Sequence, residues 1–142
     1  IVVGFGDNGI VDEEGADFLV FENAFFVGGD PDQVWAEVGE VSVSVDGKKW
    51  KTFGCDAEPN EDGDWPGCAG WHPTRDYDPA QVVPPNPAAS GGDAFDLADV
   101  GLERANYVRI RDVSMKGGAP SAGFDLDAVG IVHPMAGGGK AP

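Results

Sequence analysis

The sequence predicts an all-β sandwich on three observations: short apolar runs that alternate with period two, dense turn residues between them, and no long stretch with a helical apolar period. Gly (22) and Pro (11) separate runs rich in aromatic and β-branched residues, the composition of a sheet protein with many turns. With 142 residues and 42% hydrophobic composition, the chain supports one complete core and is too short for two ordinary domains.

Ile1-Val2-Val3-Gly4-Phe5 reads as the opening strand. Asp17-Phe18-Leu19-Val20-Phe21 is apolar on both pleat faces after its first residue, as a central strand covered on both sides would be. Glu22 and Asn23 end that strand, where polar side chains can turn towards a ligand. Val41-Ser42-Val43-Ser44-Val45 alternates, Asp46-Gly47 is a two-residue turn signal, and Lys48 to Phe53 resumes the strand. Trp35 and Trp50 are expected in the core. From Gly54 to Gly92 the prolines stand too close for regular ladders, so a disulfide and short irregular strands are expected to organise a loop of that length. Residues 91–103 have room for a helical turn. Tyr107-Val108-Arg109-Ile110-Arg111 places Val108 and Ile110 inward and both arginines outward, and the last strand runs from Phe124 to His133. The folded unit is expected over 1–134, with the Gly-rich 135–142 a flexible tail.

Twenty-five acidic residues against nine basic ones give a net charge of −16, which repels phosphate backbones and anionic lipid head groups. Nucleic acid is therefore excluded as a favoured partner. No apolar run reaches membrane-spanning length, so direct membrane insertion is not expected. The chain has neither an initiator Met nor a leader pattern and closes in linker-like sequence, and it is expected to be a segment of a longer polypeptide.

Cys55 and Cys68 bracket a polar loop with no core of its own. A disulfide between them would contribute roughly 3 kcal/mol by loop closure and implies an oxidising compartment; two unrelated buried thiols are the alternative. Zinc is not expected with two Cys and only His72 and His133 beside them.

In a strand, Asp125 and Asp127 share one face while Phe124, Leu126 and Ala128 pack on the other. Paired carboxylates are costly unless a positive charge lies between them, and calcium, which takes six to eight oxygens at flexible geometry, is the simplest one. The alternatives are a solvated face or pairing with Arg109 and Arg111. Among the early acids Asp7, Asp12, Glu13, Glu14 and Asp17, the last is the preferred member because it begins the central strand. Asp56, Asn60, Asp62 and Asp64 form a candidate second ion site resembling part of an EF-hand loop, but Ala69 stands where the closing Glu belongs. An exposed acidic loop is the alternative.

No nucleophile-elbow motif supports Ser90 and His72 as a catalytic set, and nothing surrounds Asp125 and Asp127 as a glycosidase pair would be surrounded. Catalysis is not expected. Trp65, Trp71 and Tyr77 lie near His72 and Arg75 and can form a platform that stacks on sugar rings, or cap the end of the core beneath a long loop.

The hairpin Val41 to Trp50 and the later run Ala105-Asn106-Tyr107-Val108-Arg109-Ile110-Arg111-Asp112 resemble the galactose-binding-like jelly rolls of the discoidin or coagulation-factor type C kind. Adding Gly4-Phe5-Gly6-Asp7-Asn8, Asp17 to Asn23, Gly67-Cys68-Ala69-Gly70, Gly92 to Asp99 and Gly123 to Val129, the chain resembles, over nearly its whole length, a family of secreted bacterial cell-surface proteins common in myxobacteria. The resemblance implies a jelly-roll sandwich and an extracellular or cell-surface address. It also implies a structural calcium held between an early and the last strand, which brings Glu22 and Asn23 alongside Asp125 and Asp127; Asp17 joins this set from its place at the start of the same early strand. The expected function is a non-catalytic calcium-binding structural or adhesion module that engages other cell-surface or matrix components or copies of itself. A carbohydrate-binding module using the loop aromatics is the alternative.

Overall fold

A computed structural model describes residues 1–75, 85–114 and 123–136. The strands are β1 (Val2–Gly4), β2 (Ile10–Val11), β3 (Phe18–Glu22), β4 (Phe25–Phe26), β5 (Val34–Trp35), β6 (Gly39–Ser44), β7 (Lys51–Thr52), β8 (Cys68–Ala69), β9 (Asp93–Phe95), β10 (Arg104–Ala105), β11 (Tyr107–Asp112) and β12 (Leu126–Ile131). Among the described residues two 3-10 turns, Val27–Gly29 and Leu97–Val100, interrupt them, the second inside the stretch with room for a helical turn. All described pairings are antiparallel.

The two main sheets run β1-β11-β6-β7, with β8 also on β6, and β12-β3-β9. Opposed positions explain why they face each other. Val108 pairs with Val43 and Ile110 with Val41, and these side chains meet Phe18, Val20 and Phe95 of the second sheet in one buried core. Phe18, Phe53 and Phe95 form its aromatic centre, with ring centroids 4.9–6.1 Å apart and each such pair worth about 1 kcal/mol beyond burial. β3 lies between β12 and β9, and residues on both of its pleat faces, Phe18 and Val20 on one and Leu19 on the other, are fully buried, which accounts for its continuous apolar run. A satellite cluster of Ala36, Val38, Trp65 and Cys68 is packed beneath the cysteine loop.

Several local expectations are corrected. Ser42 pairs with Thr52 and Val43 with Lys51, so Asp46-Gly47 is not a two-residue turn. Instead Asp46 Oδ1 accepts from the amides of Lys48 and Lys49 at 2.8 Å and the Ser44 hydroxyl donates to the Lys49 carbonyl at 2.6 Å, which organises a longer loop. Trp35 is 40% exposed rather than core, because β5 pairs only with β4. Trp50 is half-buried on the outer face of the sheet, with the Arg109 guanidinium 4.4 Å from its ring centre. Met135, expected in the tail, is tied by its amide to the Gly9 carbonyl at 2.9 Å; residues 137–142 lie outside the described ones.

Candidate functional site

On β3, residues two apart share a pleat face, so Phe18, Val20 and Glu22 point the same way. The first two enter the core, and Glu22, opposite Leu126 of β12, ends it. Glu22 is 2% exposed and neither carboxylate oxygen has a hydrogen-bond partner. An unpaired buried carboxylate costs several kcal/mol. Burial pushes its pKa up to about 7, and the carboxylates of Glu37 and Asp125 add to the rise. The amides of Asn23 and Ala24 oppose it, but neither completes a hydrogen bond. Glu37 is itself buried, its Oε1 accepting from the Gly123 amide at 2.9 Å. The end of β3, the segment before β6 and the segment before β12 thus place Glu37 and Asp125 near enough to act on Glu22 electrostatically, but among the described residues the carboxylates of these three do not gather within 4.8 Å as those of Asp12, Asp17 and Asp96 do.

The other expected ligands fall elsewhere. Asp17 stands five positions before Glu22, roughly 16 Å along an extended strand and on the opposite pleat face, so the two cannot share one ion. Its fully buried carboxylate is spoken for: Oδ2 accepts from the Leu97 amide at 2.7 Å, and Oδ1 accepts from the Glu13 amide at 3.0 Å and lies 2.9 Å from His133 Nδ1. Asp12 and Asp96 approach Asp17, one oxygen of each residue lying within 4.8 Å of the others. Burial, then Asp17 and Asp96, raise the pKa of Asp12. Asp96 Oδ1 caps the 3-10 turn by accepting from the Ala98 amide, so Asp17 and Asp96 already hold protein donors, while Asp12 lies exposed at the edge of the group.

Asn23 is exposed beside Glu22, and Asp127 is exposed at a β-bulge. The bulge, which breaks the pairing between Leu126 and Ala128, interrupts the expected alternation. Ala128 therefore faces solvent while Val129 and Ile131 pack on the core.

Cys55 and Cys68 are joined, with Cα atoms 4.7 Å apart. Within their loop, Asn60 Oδ1 accepts from the amides of Asp62 and Asp64, and Asp56 Oδ1 from that of Glu58. The Asn60 oxygen serves the turn rather than facing an ion. Among the described residues, no group of three carboxylates in this loop gathers as the Asp12 group does.

The same loop borders an open groove of about 1440 Å³ whose floor includes Trp71 and His72. Asp93 fixes them. Its Oδ2 accepts from the amides of Gly70 (2.6 Å) and Trp71 (3.2 Å), and its Oδ1 lies 2.7 Å from His72 Nδ1. The Trp71 indole donates to the Cys68 carbonyl at 3.1 Å. Trp65 is 7% exposed in the satellite cluster, its indole donating to the Ala57 carbonyl, so it caps the core and offers no stacking face. Tyr77 lies outside the described residues.

Glu37, Asp93, Asp96 and His133 are site members that pattern reasoning missed. Glu37 had a local signal, a single acid between Ala36 and Val38 just before a strand. The others are defined by contacts distant in sequence. No protein-family model, curated protein or solved structure matches this chain.

Proposed function

We propose that this chain is a non-catalytic, calcium-stabilised module of the galactose-binding-like jelly-roll type, displayed on a bacterial cell surface, where it engages other surface components or further copies of itself. The observation that carries the reading is Glu22: a buried carboxylate with no hydrogen-bond partner, within the electrostatic reach of the acids Glu37 and Asp125. An apolar end to the core would be cheaper at this position, so the arrangement makes sense when a cation joins the acids. The donors are all hard oxygens, which suits calcium rather than zinc. Glu22, Glu37 and Asp125 would hold the ion, with the Asn23 amide a further oxygen donor. The bound ion would neutralise the cluster and fasten β3 to the segments before β6 and β12. The Cys55–Cys68 disulfide supports an oxidising, extracellular address. Carbohydrate binding is the second reading; among the described residues Trp71 is the ring of the Trp65, Trp71 and Tyr77 set that supports it, Tyr77 lying outside them.

Calorimetric titration of chelator-treated protein with calcium, paired with melting curves, tests the reading. A ligand at a hundred times its dissociation constant adds about 2.7 kcal/mol, so calcium should raise the melting temperature by several degrees. Glu22→Gln should abolish that response, and Asp17→Asn should leave it intact. Identical melting curves in calcium and in chelator, with metal removal verified by elemental analysis, would overturn the proposal.

A further inference from the structure

The residues assigned to the cation supply few oxygens for a calcium ion, which takes six to eight. Glu22 offers both of its carboxylate oxygens, neither of which has a hydrogen-bond partner. Glu37 has Oε1 already accepting from the Gly123 amide, which leaves Oε2. Asp125 and Asn23 add side-chain oxygens from exposed positions. All of these on a single ion would reach only the lower end of calcium's range. They are also unequally placed. Glu22 and Glu37 are buried and hold the protein side of the site, whereas Asp125 and Asn23 stand at the surface. Among the described residues the carboxylates of Glu22, Glu37 and Asp125 do not converge within 4.8 Å, so they form no closed cage.

We propose that the cation seated on Glu22 keeps coordination positions open to the outside, and that these positions take two neighbouring hydroxyls of a neutral sugar. The inference rests on the cation reading of Glu22 given above. It differs from the carbohydrate reading on Trp71, which needs no ion.

Charge selects the ligand class. Three carboxylates around a divalent ion leave a negative charge uncompensated, and Asp127 is exposed two residues on from Asp125. The whole chain carries a net charge of −16, so a carboxylate, sulfate or phosphate group of a ligand meets repulsion. Hydroxyl oxygens bring no charge. Two of them on adjacent carbons of a rigid ring reach two neighbouring positions at once, and they release two waters while ordering one molecule. A peptide carbonyl is also neutral, but it fills one position and leaves a flexible chain to be ordered. Phe25, two residues beyond Asn23 and so within about 7 Å of it between Cα atoms, is 51% exposed. It is an apolar ring of the kind on which the C–H face of a sugar packs.

The test replaces calcium by terbium, which shares its preference for oxygen donors and whose luminescence lifetimes in light and heavy water count the waters on the bound ion. Terbium on the parent protein should carry about two waters or more. Methyl α-mannoside and methyl β-galactoside, which present both cis and trans neighbouring hydroxyls, should remove about two of them. A 3-deoxyglucoside without hydroxyls on adjacent carbons should leave the count unchanged, as should N-acetylglycinamide, which supplies peptide carbonyls. In calorimetry on the calcium-loaded protein the two glycosides should bind, acetate should not, and chelator should weaken the glycosides by about tenfold or more. Glu22→Gln should lose terbium and glycoside together; if that variant does not fold, the water count on the parent still decides. Failure of both calcium and terbium to bind overturns the cation reading and this inference with it. Cation binding with no coordinated water, a water count that neither glycoside lowers, or glycoside binding that survives Glu22→Gln overturns this inference alone. So does removal of water by N-acetylglycinamide but by neither glycoside, or calorimetric binding of acetate in place of the glycosides.

Discussion

His133 Nδ1 lies 2.9 Å from Asp17 Oδ1, and this contact fastens the chain just beyond β12 to the start of β3. The same carboxylate holds the Leu97 and Glu13 amides, so one buried side chain joins three segments distant in sequence. Asp17→Ala should therefore destabilise the fold by about 3 kcal/mol, because each backbone donor left without a partner costs roughly 1–3 kcal/mol. His133→Ala removes one contact and should cost about 1 kcal/mol. Urea midpoints at unchanged slope would check both. Equal losses for the two variants would show that the amide bonds to Asp17 contribute little.

Gly70 sits between Trp71 of the groove and the backbone of Glu37. Its φ is +92°, and a Cβ there would stand 2.5 Å from the Glu37 carbonyl and 2.8 Å from the Phe124 ring. Backbone strain and a clash with backbone act together, so Gly70→Ala should cost at least about 2 kcal/mol. It should also displace Glu37, lowering calcium affinity along with stability. A variant with parental stability and calcium affinity would contradict this coupling.

The disulfide carries a different expectation. Cys68 is 2% exposed in the satellite cluster with Trp65, and its carbonyl accepts the Trp71 indole bond. Replacing both cysteines by Ala should cost roughly 3 kcal/mol through the unfolded state. It should also shift Trp fluorescence, because Trp65 and Trp71 both rest on that segment. Calcium affinity should change little, since both cysteines pack in the satellite cluster rather than in the core that Phe18 and Val20 of β3 enter.

What was legible in the sequence is what repeats locally. The run Phe18 to Phe21 announces a strand covered on both faces, and the full burial of Phe18, Leu19 and Val20 makes β3 one; Val108 and Ile110 alternate inward as their period requires. Asp46-Gly47 misled because a side-chain oxygen, not a tight backbone turn, organises that corner. Trp35 misled because hydrophobicity ranks a residue without saying whether its ladder reaches the core. The candidate cation site was half legible. Glu22 and Asp125 were visible as acids at strand ends, but the bulge that leaves Asp127 exposed and the fold that brings Glu37 to Glu22 depend on tertiary packing.

Glu22 yields a prediction in which one substitution changes sign with conditions. Its carboxyl, ordinarily near 4.5, is raised to about 7 in the folded chain, first by burial and then by Glu37 and Asp125. A carboxyl raised in this way keeps its proton in the native state over a range in which the unfolded chain has lost it. Its effect on metal-free stability is therefore most favourable below about 4.5, worsens as pH rises towards about 7, and then levels off. Glu22→Gln removes the titrating group, so in chelator at pH 8 the variant should be more stable than the parent and should lack this decline. In saturating calcium the order should reverse, because only the parent has the charged ligand. Calcium must also displace the proton, so at pH 6 binding should release close to one proton per ion, read as a calorimetric enthalpy that varies with the ionisation enthalpy of the buffer. At pH 8 that variation should vanish. If the enthalpy is independent of buffer at pH 6, or Glu22→Gln is the less stable protein in chelator as well as in calcium, Glu22 is not the group that the cation neutralises.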